Sequence, residues 1–366
     1  MPYVNGFLPS QSAPLFHNGP WPPGLDLRIG LPGLPAVSID VTSFGLCGGM
    51  SFLARDIHES GMPQLRSTDS RSIPVPVGRH ILSRLLDSFV GPGVIPYWIH
   101  ATQELDHATW FWGQGLFAET VGAAQQVMHS IDAGVLCPIG VILAQSPWPW
   151  EVFQSHVELV YGYDLIGTQL TLHVYDCNAE GSDKVTISLD IGSTAPAKPV
   201  TTNGTAVKEQ SGRIRGFFVL PYTHRDPSPA YVDDAAVSVL TALPARMTPG
   251  QSLGLTVSIE NRGSTTLDPA LGYRLGTQSP PDNTSWGVPG FALAGPLDPG
   301  RVATQQVTVR APSQGSAMVQ LQMLRESVHW FGTPSVVASV SVVPGGASVD
   351  AAGDALEGTL EATPVG

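Results

Sequence analysis

The residues best equipped for chemistry in this chain are one cysteine and one histidine, each in a patterned setting. Cys47 stands among glycines in Ser43-Phe44-Gly45-Leu46-Cys47-Gly48-Gly49-Met50. Leu46, Met50, Leu53, Ala54 and Ile57 recur at helical spacing, and Glu59-Ser60-Gly61 closes the pattern with a glycine suited to a C-cap. Cys47 is therefore expected at the first turn of a helix with one apolar face. Unpaired N–H groups and the positive end of the helix dipole favour a thiolate there, and a thiolate is a nucleophile. Gly45, Gly48 and Gly49 are expected to clear space around the sulfur for a substrate backbone. The same residues also suit a cysteine simply buried at a glycine-rich helix start.

A thiolate nucleophile needs a base, and His156 is the histidine with a partner pattern. Ser155 to Asp164 reads as a strand, turns near Ile166-Gly167, and returns as Leu170 to Asp176. A hairpin of that register brings His156 to the same end of the sheet as Asp176 and Asn178. Either can accept from the far ring nitrogen and hold the imidazole in one tautomer. Glu158 lies two residues beyond His156 on the same strand face, where it would raise the imidazole's proton affinity or line the cleft. His173, mid-strand, reads as structural or surface. His156 also fits an ordinary strand-end histidine.

The elements that must position these residues are a helix over 79–89, a helix over 119–133 ended by Gly134, and a strand buried on both faces over 137–144. Cys137 begins that strand and is expected to pack inertly. Tyr97, Trp98, Trp110 and Trp112 form an aromatic-rich stretch with no clear element.

Bulk properties exclude several classes. The three cysteines, Cys47, Cys137 and Cys177, are too few and too widely spaced for a disulfide framework or a CxxC zinc site. No HExxH occurs, and His100 and His107 lack the one-turn spacing of a zinc helix, so neither metal nor cofactor is expected. The net charge is −12 and no Lys/Arg cluster is present, which argues against a nucleic-acid partner. No apolar run approaches the roughly 20 residues of a membrane span. The start of the chain lacks a basic segment followed by an apolar one, so no conventional signal peptide is expected, and the reading is a cytoplasmic protein or one exported by a specialised route.

At 366 residues the chain suits two domains. We expect an N-terminal extension over 1–25, a mixed domain over 26–222, a linker over 223–234 around Asp226-Pro227-Ser228-Pro229, a β-domain over 235–343, and a disordered acidic tail over 344–366. In the β-domain, Leu253, Leu255, Val257 and Ile259 alternate with polar residues. Val307 and Val309 do likewise, as do Val319, Leu321 and Met323, and then Val336, Ala338, Val340 and Val342. Short alternating strands between Gly/Pro/Asn turns indicate a β-sandwich, with Trp286 and Trp330 as packing anchors.

Three features follow one another in order: the glycine-flanked Cys47 opening a helix, H-x-x-x-x-Y-G-Y-D from His156 to Asp164, and Y-D-x-N from Tyr175 to Asn178. Together they resemble bacterial papain-like proteins related to the double-glycine-leader peptidases, over 26–222 and including the late strand Gly216 to Tyr222. The resemblance implies an α+β fold, with a papain-like N-terminal domain followed by the all-β immunoglobulin-like sandwich. It also implies roles: Cys47 attacks an acyl carbon, His156 moves the proton and Asp176 orients the imidazole. Papain-type enzymes share a glutamine about six residues before the cysteine that helps hold the oxyanion. Here that stretch is Asp40-Val41-Thr42-Ser43, leaving Thr42, Ser43 and the Cys47 backbone N–H as donors. Tyr273 to Pro280, Asp282 to Gly287 and Trp330-Phe331-Gly332 resemble the tryptophan-containing immunoglobulin-like domain of certain autophagy receptors and bacterial multidomain proteins. The function these features imply is a cysteine hydrolase, a peptidase or amidase acting on protein or peptide substrates, tethered to a sandwich that binds a protein or glycan. The alternative is a catalytically inactive papain-fold pseudoenzyme that acts by binding.

Overall fold

A computed structural model describes residues 2–29, 37–40, 45–90, 94–107, 115–144, 146, 154–192, 199–204 and 213–344. The first part of the chain holds α1 (Pro9–Ser12), β1 (Asp26–Ile29), β2 (Val37–Asp40), α2 (Cys47–Glu59), α3 (Val75–Val90), α4 (Val94–Gln103) and α5 (Leu116–Asp132). The strands β3 (Cys137–Ile142), β4 (His156–Ile166), β5 (Gln169–Tyr175), β6 (Thr186–Asp190), β7 (Val200–Thr202), β8 (Arg213–Ile214) and β9 (Gly216–Val219) follow. These seven form one antiparallel sheet in the order β8-β7-β6-β5-β4-β3-β9. The fold is mixed α+β.

β3 is buried at every position, as an unbroken apolar run requires, because it runs between β4 and β9 with α4 and α5 against it. α2 packs on β4 and on α3. Its glycines explain that second contact. A Cβ on Gly49 would stand 2.0 Å from the carbonyl oxygen of Ile81, and one on Gly48 would stand 2.3 Å from Ser88 Oγ. Both residues are buried against α3. They serve close helix–helix approach, which corrects the expectation that they open space for a substrate. Gly61, just past the end of α2, takes φ +61°, the left-handed conformation that stops a helix.

The far end of α2 is locked by a buried ion pair. Asp56 is fully buried, and Arg84 of α3 meets it with Nε 2.7 Å from Oδ2 and Nη2 3.0 Å from Oδ1. Tyr222 O–H and the Arg225 backbone N–H also donate to Oδ1, at 2.6 and 3.1 Å. Arg84 further donates to the Thr223 carbonyl oxygen at 3.0 Å. α2, α3 and the segment after β9 thus meet on one carboxylate.

Two expectations about boundaries change. Val4, Phe7, Ala13, Phe16 and Trp21 are buried in the same apolar core as α2 and β4, so residues 2–25 are part of this domain and not an extension. The backbone N–H of Val4 donates to the Tyr161 carbonyl at 2.8 Å, and the Tyr3 ring lies over Gly162, where a Cβ would stand 2.3 Å from Tyr3 Cδ1. That contact accounts for the glycine in Tyr161-Gly162-Tyr163. Likewise 223–234 is no free linker: Ala230 is fully buried, Tyr231 and Val232 pack on the first core, and the Arg225 guanidinium reaches Ser83 and Asp87 of α3. The Trp-rich stretch resolves in part. Trp98 lies in α4, buried with Phe52, Val157 and Phe218, while Trp110 and Trp112 fall outside the described residues.

From Ala235 the described chain has no α-helix. Its strands are β10 (Ala235–Val239), β11 (Arg246–Met247), β12 (Ser252–Asn261), β13 (Tyr273–Thr277), β14 (Gly290–Ala292), β15 (Val302–Arg310), β16 (Gly315–Val319), β17 (Leu321–Arg325), β18 (His329–Phe331) and β19 (Ala338–Val342). They form sheets ordered β10-β12-β15, β11-β19-β16 and β14-β13-β17-β18 around one separate core that includes Leu255, Val257, Ile259, Tyr273, Trp286 and Met323. Trp286 is an anchor, its Nε1–H donating to the Met318 carbonyl at 2.8 Å. Val336, expected to begin the last strand, lies outside β19 and is 89% exposed. Residues 345–366 of the expected tail lie outside the described residues. Among the described residues, no helix is long and apolar enough to cross a membrane.

Candidate functional site

Cys47 is the first residue of α2, which packs on β4, and is only partly buried. His156 is the first residue of β4, paired with Val141 of β3, and is 5% exposed. Antiparallel pairing of Leu159 with Tyr175 places Asp176, the residue after β5, beside it. The His156 Nε2 to Asp176 Oδ1 distance is 2.9 Å. An ionised carboxylate only accepts, so the proton of this bond sits on Nε2, and Nδ1 is the ring nitrogen left for Cys47. Cys47 is one of the two groups that stabilise the charged ring.

Burial by itself would push the imidazole toward its neutral form. The charge and hydrogen bond of Cys47 and those of Asp176 outweigh it, and His156 holds its proton well above the usual histidine range. Asp176 is fully buried and also accepts the backbone N–H of Asn178 at 2.9 Å. Asn178 therefore supports the site through its main chain, holding Asp176, rather than by orienting the imidazole with its amide.

Glu158 follows on the same face of β4, 1% exposed, with Oε1 3.9 Å from His156 Nε2. Desolvation first, then the neighbouring Asp176 charge, raise its pKa to about 8 against the opposing pull of His156. Burial thus favours its neutral acid form behind the imidazole. Its Oε2 has no hydrogen-bond partner among the described residues.

Two further residues reach the site, one from a distant segment of the chain and the other from the position next to Asp176. Asn18 Oδ1 accepts the Leu46 backbone N–H at 2.6 Å across 28 positions of sequence. Its Nδ2 is packed against Gly45, where a Cβ would stand 2.1 Å from it. Gly45 thus makes room for an amide group two residues before Cys47. The loop is held there by the Asn18 backbone N–H, which donates to the Cys177 carbonyl at 3.2 Å. Thr42 and Ser43 lie outside the described residues. Cys177 is the second residue: fully buried, its Sγ and the facing atoms of His156 and Asp176 lie within 4.8 Å of one another.

The three thiols differ in state and access. Cys137 is buried and its pKa is pushed up to about 11 by desolvation, and burial together with neighbouring negative groups pushes Cys177 up as well. Both remain protonated thiols, and Cys47 is the accessible one. His173 takes no part in the site: its Nε2 is 2.9 Å from both Asp164 Oδ2 and the Tyr3 hydroxyl, and its ring packs on Tyr3 and Tyr161.

No family model matches the chain, and no curated protein matches it. Among solved structures it is similar to AvmM, described as catalysing macrocyclization in alchivemycin A biosynthesis, at 15% identity and a TM-score of 0.18, covering 33% of this chain and 95% of that one. It is also similar to red sea bream transglutaminase, at 9% identity and a TM-score of 0.22, covering 57% of this chain and 26% of that one.

Proposed function

We propose that the chain is a cysteine hydrolase of the papain-like type, a peptidase or amidase that attacks an acyl carbon through Cys47. The observation that carries this reading is the Cys47–His156–Asp176 arrangement: an accessible thiol at a helix start, an imidazole beside it, and a buried carboxylate on the far ring nitrogen. In the first step the Cys47 sulfur bonds to the substrate carbonyl carbon and His156 gives a proton to the departing amine, leaving a thioester. In the second, His156 takes a proton from water, whose oxygen displaces the sulfur and releases the acid.

The tetrahedral intermediate needs donors for its oxygen. The Cys47 backbone N–H is one, and the position of Asn18 supports it as the other. It takes the part that the family assigns to an upstream glutamine, from another segment of the chain. Asn18→Ala is expected to lower kcat/KM by on the order of 10²–10³. Alkylation of Cys47 by a small haloacetamide should remain near the wild-type rate, because that reaction forms no oxyanion. Equal loss of both would mean that Asn18 only supports the fold.

Asp176 has a pH signature. A raised His156 pKa keeps the imidazolium present above pH 6.5, so the alkaline limb of activity lies above that value. Asp176→Asn keeps an acceptor but removes the charge, and the alkaline limb should move to lower pH by about 1 unit or more. A pH–rate profile identical to wild type would remove Asp176 from the relay.

The separate all-β unit carries no comparable cluster among the described residues. Its role in this reading is to bind a protein or glycan partner, or to space the hydrolase, as the immunoglobulin-like resemblance implies.

A further inference from the structure

A second group of ligating side chains lies apart from Cys47, where α4 meets α5. His100 and Glu104 stand one turn apart on and just beyond α4, and Glu119 lies in the first turn of α5. His100 Nε2 is 3.2 Å from Glu104 Oε2 and 3.5 Å from Glu119 Oε1, and all three ligand atoms lie within 4.8 Å of one another. A tetrahedral ion held at about 2.0–2.2 Å by nitrogen and oxygen ligands spaces those ligands about 3.3–3.6 Å apart. The two separations from His100, 3.2 and 3.5 Å, are close to that spacing.

The independent sign of a missing ligand is Glu104. Its residue is 5% exposed, and Oε2, the atom aimed at the cluster, makes no hydrogen bond among the described residues and meets only the edge of the half-exposed His100 ring, 3.2 Å away. A buried carboxylate oxygen left so is costly unless a cation or proton meets it. The nearby guanidinium of Arg215 does not meet it. It is directed to the carbonyl oxygens of Ala101, Thr102, Ala144 and Glu104 and to the Asp106 carboxylate. Those bonds hold the Glu104 backbone in place. Glu119 is held from its other side, where Oε2 accepts the Tyr97 hydroxyl at 2.5 Å. The ligand set is therefore built before any ion arrives. Glu119 also lines a cavity of about 460 Å³ with Tyr97 and Phe218, and His100 is half-exposed, so an ion has a way in.

We propose that His100, Glu104 and Glu119 form a site for one divalent transition cation that ties α4 to α5. One imidazole and two carboxylates suit zinc, or iron or manganese, better than calcium or magnesium, whose sites are built from oxygen alone. Three protein ligands leave one position for water.

The test is calorimetric titration of the full chain with zinc chloride after chelator treatment, in a Cys47→Ser background so that the accessible thiol does not compete. One equivalent is expected to bind and to raise the melting temperature. His100→Ala removes a half-exposed ligand without opening the core, and it should weaken binding by more than about 100-fold. Glu104→Gln should do the same, and cobalt in the parent should give a spectrum free of thiolate-to-metal charge transfer. No binding in the parent would overturn the site and leave the three groups sharing a proton. Zinc that binds equally well after His100→Ala would overturn it too, placing the ion at another cluster, such as the one around Cys177.

Discussion

Cys47→Ala is expected to abolish acyl-bond cleavage, a fall in kcat on the order of 10⁵–10⁶, with the folded state intact. The size follows from the role: without the sulfur there is no covalent intermediate, and what remains is binding and the oxyanion donors. Cys47 is the one partly exposed thiol, while Cys137 and Cys177 are buried and held protonated. A stoichiometric haloacetamide followed by peptide mass mapping should therefore mark Cys47 alone at neutral pH. His156→Ala should reduce turnover nearly as far, because nucleophile and base act as a unit and their losses do not add. It should also slow alkylation of Cys47 by about 10²-fold, because the base that takes up the thiol proton is gone. A peptide-library digest read by mass spectrometry supplies the turnover assay. Cleavage that persists in Cys47→Ala would end the hydrolase reading. If instead both variants are silent in cleavage but keep a biological effect, the binding-only alternative prevails.

The second large effect is on stability. Arg84→Ala should destabilise the chain by about 3–5 kcal/mol, because it leaves the fully buried Asp56 carboxylate without its cation. Tyr222 and the Arg225 backbone still donate to Asp56 but bring no charge. The loss is larger than for the surface pairs. Arg66 with Asp298, for example, is about half exposed, and such pairs contribute at most about 1 kcal/mol. Urea denaturation followed by tryptophan fluorescence checks it. The expected result is a lower midpoint with an unchanged slope, and a shift within about 1 kcal/mol would show that the pair is neutral. Replacing both partners together, Asp56→Leu with Arg84→Met, should recover much of the loss, since the cost lies in the orphaned charge and not in the missing attraction. Because Asp56 lies on the helix that begins with Cys47, Arg84→Ala should also reduce activity.

Much of the site was legible where chemistry and local periodicity coincide. The apolar spacing of Leu46, Met50, Leu53 and Ile57 sets α2, and Gly61 ends it, so Cys47 could be placed at a helix start from sequence. The turn at Gly167 starts the pairing of β4 with β5, a bulge at Tyr161 shifts it by one residue, and Asp176 comes to lie 2.9 Å from His156. Local pattern is a poor guide to the glycines beside Cys47: Gly48 and Gly49 answer to Ser88 and Ile81 on another helix, which periodicity within α2 does not reveal. The few residues before Cys47 in sequence hold no amide side chain, and the one packed against Gly45 belongs to Asn18.

By itself, then, the sequence determined α2 with Cys47 at its start and the β4–β5 hairpin with His156 and Asp176 at one end, because helical spacing, strand alternation and turn residues act over a few positions. Tertiary structure alone decided what surrounds that pair. It seated Asn18 against Gly45 and Arg84 on Asp56, and it drew the first 25 residues and the segment 223–234 into the same core. These are contacts between segments far apart in the chain. They form because burying apolar surface brings the segments together, and a buried polar group then takes whichever partner the packing has left beside it.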